Sequence, residues 1–234
     1  MAEQNNHQDK LMALFESLLE AYGKRNWWPA KTRFEVIVGA ILTQNVSWRN
    51  AKLGIQKLEE GGLLSPAAIL EADLSLIAEK IRSTRFYNQK AIKLRAFCRH
   101  LFDHHSGSLD SLFSVDRAVD EVRGELLSVR GIGEETADSI LLYAGGKLSF
   151  VSDTYTKRLL DRFGLMDGKL SYGLIRKYFM DNLPPDLYIY GEFHALIDRH
   201  GHTTCKSKPR CEECPVRSVN RGLQCSYARR LGGS

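Results

Sequence analysis

The sequence predicts an all-α fold on three observations. Apolar residues recur at helical spacing along nearly the whole chain, no segment alternates as a half-buried strand would, and Gly, Ser, Pro and Asn punctuate the periodic stretches at short intervals. Leu11, Leu14, Phe15, Leu18 and Leu19 set the first helix, and Val36, Ala40 and Ile41 mark a second within "FEVIVGAILTQN". Further helices are expected over residues 48–60, 67–81, 87–104, 115–129, 134–144, 154–164, 170–182 and 185–200. In 115–129 one face is formed by Val115, Val119, Val122, Leu126 and Val129; in 134–144 another is formed by Ala137, Ile140, Leu141 and Ala144. With 234 residues and 43% hydrophobic content the chain can bury a sizeable core, and it shows neither an internal repeat nor a low-complexity linker.

Charge is unevenly placed. From Cys205 onward there are seven cations and two anions, a balance of +5 that equals the formal excess of the whole chain. Such a block suits a polyanion such as nucleic acid, and equally a solvated tail. The N-terminus "MAEQNNHQDKLMALF" has no secretory pattern and no apolar run reaches membrane-spanning length, so a soluble, cytoplasmic protein without a membrane partner is expected. Four of the five cysteines fall in the basic block; in a reducing compartment such a cluster points to metal binding rather than disulfides.

Two amphipathic stretches flank "RGIG", residues 130–133. A Gly-apolar-Gly turn gives the backbone freedom and exposes N–H groups at the next helix start, which suits a phosphate; it also suits a plain tight connection between helices. Asp153 follows eighteen positions after Glu135, just before a new helix, where Asp commonly serves as an N-cap.

The stretches "VRGIGEETA" and "VSDTYTKRLL" together resemble the helix-hairpin-helix DNA glycosylases typified by endonuclease III, whose signature is L-x-G-V-G-x-K-T-A followed by a catalytic Asp. The resemblance implies a two-lobed all-α glycosylase fold in which Gly131 and Gly133 grip a DNA phosphate and Asp153 acts at the sugar of an everted nucleotide. It also implies a cleft between the lobes, with Glu135 on one wall and Asp153 on the other. Glu135 stands where bifunctional relatives carry the Schiff-base lysine. A carboxylate cannot form an imine, so base removal without strand cutting by that route is expected. Glu134 has no role in the signature and should oppose a phosphate unless it points away.

"NWWPAKTRFEVIVGAILTQNVSW" and "RFYNQKAIKL" are similar to the DNA-3-methyladenine glycosylase III type. That resemblance implies that Trp27, Trp28 and Pro29 line the base pocket and that Trp48 stacks on the damaged base. An alkylated base is cationic, and a cation over an indole face gains about 0.5–2 kcal/mol; outside this context paired tryptophans are usually core. Gln44 of "LTQN" matches a residue that fills the duplex after base eversion in endonuclease III relatives, and locally also reads as polar punctuation before a helix opened by Ser47. "RFYNQK", residues 85–90, carries no assigned chemistry.

Cys205, Cys211, Cys214 and Cys225 are spaced C-x5-C-x2-C-x10-C. Four thiolates would satisfy a structural zinc; the resemblance to endonuclease III implies a [4Fe-4S] cluster, although the family spacing is C-x6-C-x2-C-x5-C. Lys206, Lys208 and Arg210 of the embedded "KSKPRC" then match a loop that touches the phosphate backbone, and Cys98 reads as an ordinary buried thiol. The 3-methyladenine type lacks the cluster, so its pocket is here combined with the older metal module.

By resemblance, residues 24–147 form one lobe with the hairpin, and residues 1–23 with 148–226 form a second carrying the cluster. The expected function is a monomeric DNA glycosylase of base excision repair, removing alkylated purines from double-stranded DNA without lyase activity. Two alternatives stand beside it: a glycosylase for oxidised or mismatched bases, and a non-catalytic DNA-binding module.

Overall fold

In the computed structural model, which describes residues 2–217, 219 and 223–227, no β-strand occurs among the described residues. In chain order the helices are α1 (Ala2–Tyr22), α2 (Arg33–Leu42), α3 (Trp48–Glu60), α4 (Pro66–Glu71), α5 (Leu74–Lys80), α6 (Tyr87–His105), α7 (Leu109–Leu112), α8 (Val119–Ser128), α9 (Glu134–Ser139), α10 (Thr154–Phe163), α11 (Tyr172–Asn182) and α12 (Leu187–Thr203). A π-helical turn, Ile140–Ala144, continues α9. They fall into two units, Trp28–Lys147 on one hand and Met1–Trp27 with Leu148–Ser234 on the other.

In the unit Trp28–Lys147 the central helix is α2, eight of whose ten residues are buried. A helix apolar all round must lie inside. It packs against α3, α6, α9 and the π turn, while Leu94, Phe97 and Leu101 of α6 and Leu126 of α8 complete the core. Thr32 caps α2 by accepting from the Glu35 amide, 3.1 Å away. In the other unit α1 packs on α11 and α12, and α10 on α12. Phe15, Phe150, Phe179 and Phe193 form an aromatic centre, with Phe150 and Phe179 stacked 3.9 Å apart.

Three expected helices differ in detail. The stretch 67–81 is two helices, because Ala72 and Asp73 are both extended; the carbonyl of Ala72 takes a hydrogen bond from Arg95, and the break lets Ile69 and Ile77 both be buried. The stretch 115–129 becomes helical only at Val119. Ser114 closes a turn instead, bonding the amides of Asp116 and Arg117 and holding Lys147 Nζ, so Val115 is 92% exposed rather than on the buried face. Finally, 134–144 changes to π geometry at Ile140, yet Ala137, Ile140, Leu141 and Ala144 are all buried as their spacing required.

Candidate functional site: the hairpin, the aromatic cluster, Asp153 and the cysteine loop

Between α8 and α9, Val129 and Ile132 drop into the core while the two glycines stay exposed. Gly131 has φ +88°, and a Cβ there would lie 2.4 Å from Cγ of Lys93; conformation and space both demand glycine. Gly133 is different. Its φ is −95° and a Cβ would meet nothing within 4 Å, so the protein itself imposes no need for glycine there. The Lys93 stem lies along Gly131 and its Nζ donates to Gln44 Oε1 at 2.5 Å. Gln44 Nε2 in turn donates to Gly131 O (3.1 Å) and Thr136 Oγ1 (2.9 Å). Gln44 is thus tied to the hairpin.

The two glutamates behind the glycines part company. Glu134 pairs with Arg123 Nη2 at 3.3 Å, and the same guanidinium holds the fully buried Asp138 through two hydrogen bonds of 2.8 and 3.0 Å. Glu134 therefore points back towards α8. Glu135 is exposed.

Trp28, Pro29 and Trp48 come together in this unit, whereas Trp27 belongs to the other. Trp28 meets Trp48 edge to face (5.5 Å, 90°) and Tyr143 at 5.4 Å. Its indole lies against Gly39, where a Cβ would stand 2.9 Å from Nε1. Both tryptophans also pack on the core. Pro29 and Trp48 line a cavity of about 430 Å³ together with Glu35, Glu59, Lys31 and Lys52, of which Lys31 and Glu59 form an ion pair. No sequence motif pointed to Tyr143, which lies in the π turn.

Asp153 is buried and caps α10: its Oδ1 accepts from the Thr156 amide (2.7 Å) and Thr156 Oγ1 (2.8 Å). Oδ2 lies 3.8 Å from His194 Nε2. Burial raises the pKa of the nearby Asp198, against the pull of His194 and His202, and Asp153 adds to the rise. Tyr155 is likewise raised by burial, then by Asp198 and Asp153. No motif pointed to His194; its only signal was a histidine within an apolar helix.

Around the C-terminal loop, Cys205, Cys211, Cys214 and Cys225 line one cavity. Arg162, buried on α10, donates to Cys205 Sγ (3.0 Å), Lys206 O (2.7 Å) and Ser207 O (3.1 Å), and its guanidinium lies over the Tyr227 ring. Burial pushes the Cys214 thiol up to about 11, and raises Cys205 against the opposing pull of Arg162. Four convergent thiols, no disulfide among them, fit a group that accepts four thiolates and supplies the positive charge to hold them. Lys206, Lys208 and Arg210 are exposed on the same loop. Cys98 is buried in the core, as expected.

Known proteins bear on this geometry. Residues 38–185 match the model of the HhH-GPD superfamily base excision DNA repair proteins. The chain is 43% identical over 212 residues to a protein of Methanocaldococcus jannaschii provisionally named a DNA repair glycosylase, covering 91% of this chain and 96% of the relative. It is 32% identical over 191 residues to endonuclease III of Sulfolobus acidocaldarius, covering 80% and 82%. In structure it resembles endonuclease III in a non-covalent DNA complex (TM-score 0.79, 20% identity, 96% and 98% covered). It also resembles a Helicobacter pylori 3-methyladenine DNA glycosylase bound to 1,N6-ethenoadenine (TM-score 0.70, 24% identity, 85% and 97% covered). With hairpin and fold agreeing, the chain belongs to the HhH-GPD superfamily of base excision DNA repair proteins, as one of its DNA glycosylases.

Proposed function

We propose that the protein is a monofunctional DNA glycosylase that removes alkylated purines of the 3-methyladenine type. The observation that carries this specificity is the edge-to-face pair of Trp28 and Trp48 beside a cavity that Trp48 lines, since an indole face favours a cationic base over a neutral one. Trp27 is proposed to add to the same pocket. The lack of lyase activity rests on Glu135, which offers no amine for an imine.

In the proposed reaction the N-glycosidic bond breaks with its electron pair leaving on the everted base, which departs neutral because alkylation had already charged it. Positive charge develops on the deoxyribose. Asp153, with Oδ1 committed to Thr156, presents Oδ2 to stabilise that charge and takes the proton of the attacking water. Gly131 and Gly133 seat a phosphate on the hairpin; the open space at Gly133, which nothing in the protein fills, supports a close backbone approach. Gln44 is proposed to enter the duplex, for which it must leave its bonds to Gly131 and Thr136. Lys206, Lys208 and Arg210 are proposed to contact the phosphate backbone.

Cys205, Cys211, Cys214 and Cys225 are proposed to hold a [4Fe-4S] cluster, which would fasten the basic loop. The choice of the cluster over a single zinc rests on the resemblance of the four-cysteine loop to that of endonuclease III. Purified protein should carry roughly four irons per chain; stoichiometric zinc after anaerobic preparation would refute the cluster.

Base release across duplexes bearing single lesions tests the function. 3-Methyladenine should be freed, leaving a strand that breaks only on heat or alkali, and Asp153→Asn should slow single turnover by about 10²–10⁴-fold. A borohydride-trapped covalent complex would restore lyase chemistry. Release of oxidised or mismatched bases alone would favour the reading suggested by the relatives named endonuclease III, and unchanged turnover in Asp153→Asn would remove the assigned role.

A further inference from the structure

The segment "RHLFDHHSGS" ends α6 with three histidines that the glycosylase chemistry does not use. Two of them converge on one acid. His100 Nε2 and His105 Nε2 each lie 2.6 Å from the same oxygen, Glu125 Oε1, and the three donor atoms all sit within 4.8 Å of one another. The side chains are 15%, 9% and 17% exposed, so water reaches the cluster without flooding it. The other carboxylate oxygen, Oε2, is held by Arg117 at 2.6 Å, and Arg117 also binds Glu121. His105 Nδ1 is 3.1 Å from Ser111 Oγ, and the His104 ring lies 4.4 Å from that of His100.

At these separations the ring nitrogens reach the carboxylate through N–H protons, which neutral imidazoles already carry, and a metal ion replacing those protons would use the same three donor atoms. We propose that His100, His105 and Glu125 form a site for a divalent transition-metal ion, with zinc the best fit to two imidazoles and one carboxylate. Three protein ligands leave room for water in the remaining position. The surroundings have the character of an outer shell: with Nδ1–H donated to Ser111, His105 would turn its Nε2 lone pair to the ion, while Arg117 holds the second oxygen of Glu125 and keeps the carboxylate monodentate. Glu121 balances Arg117, leaving the charge of Glu125 for the ion.

The placement gives the site a consequence. His100 and His105 lie on α6 and Glu125 on α8, the helix that leads through Val129 into the hairpin glycines. The ion would clasp α8 to α6 from the side opposite its neighbour Arg123, which faces Glu134 and Asp138.

Zinc titrated calorimetrically into protein whose four-cysteine site is already filled tests the proposal. One zinc per chain should bind, and X-ray absorption should show nitrogen and oxygen at about 2.0–2.1 Å with no sulfur shell near about 2.3 Å. His105→Gln should abolish binding, and Ser111→Ala should weaken it about tenfold while leaving the fold intact. A sulfur shell, zinc uptake unchanged in His105→Gln, or no uptake by the wild-type protein would overturn the site, the last showing that protons alone bridge the cluster.

Discussion

The hairpin and the cysteine loop are the two segments proposed to meet phosphate, and they are built by different means. The hairpin is held by the protein itself: Val129 and Ile132 are buried, Gly131 lies on the Lys93 stem, and Gln44 and Thr136 close the turn. The described part of the loop from Cys205 to Cys225 has no regular helix among residues 205–217; Val216, Val219 and Leu223 are buried, Arg158 and Arg162 hold its carbonyls, and its four cysteines line one cavity. A motif made by packing should survive removal of the proposed metal group, and one made by ligation should not.

The largest effect is expected from Arg123→Gln. Asp138 is fully buried and bound by that guanidinium through two hydrogen bonds, so removing the guanidinium breaks a buried ion pair at a cost of about 3–5 kcal/mol. Denaturant unfolding should register the destabilisation, with the iron content expected of the proposed cluster unchanged in the still-folded protein. If iron fell in parallel, the two regions would not be independent.

Cys211→Ser should do the converse. Hydrogen exchange should lose its protection over residues 205–217 and keep it over 119–144, and affinity for DNA should fall as the exposed Lys206, Lys208 and Arg210 lose their fixed spacing. The salt slope should become shallower by about 0.9 for every phosphate that these cations no longer neutralise. A loop that stayed protected would show that Arg162 alone suffices.

Lys90 sharpens the same contrast at intermediate scale. It is 2% exposed, donates to Leu42 O at 2.8 Å, and so fastens the end of α2 just before Gln44. Burial, aided by Lys93, lowers its pKa from 10.5 to about 8. A group with a depressed cationic pKa costs stability while charged in the fold, and that cost is relieved once the folded form sheds its proton while the unfolded form keeps it. Wild-type stability relative to Lys90→Met should therefore rise between pH 8 and 10.5 and be flat below. The measurement is urea unfolding at several pH values; a flat difference throughout would mean that Lys90 titrates alike in the folded and unfolded chains.

Much of this was legible in the residues, and what was not has identifiable causes. The hairpin and the apolar faces around it could be read because spacing fixes which side chains share a helix face, and Ala137 and Leu141 kept their burial even through a change to π geometry. Val115 failed because a serine turn competes with the helix over a few residues, a contest that periodicity does not see. Asp153 was readable as a cap but not as the neighbour of His194, which comes from a helix about forty residues later. The His100, His105 and Glu125 cluster was invisible for the same reason: its members meet only when α6 and α8 pack.

Glu134 gives the smallest and most discriminating effect. A glutamate immediately behind the proposed phosphate-binding turn should repel the phosphate, yet here it is drawn towards Arg123, at 3.3 Å and about half exposed. Exposed pairs of this kind contribute about 0–1 kcal/mol, and Arg123 retains Asp138 when Glu134 is neutralised, so Glu134→Gln should leave unfolding nearly unchanged. Its effect on DNA affinity depends on where the charge sits. If Arg123 compensates it, affinity should rise by less than about twofold at moderate salt, because a partnered charge projects little field beyond a Debye length of about 10 Å. A tenfold rise, about 1.4 kcal/mol, would mean that Glu134 faces the phosphate after all and that the hairpin rearranges when DNA arrives. The pair would then act as a latch on the binding turn, and Arg123→Lys, which keeps the charge but gives up the two-pronged hold on Asp138, should reproduce part of the change.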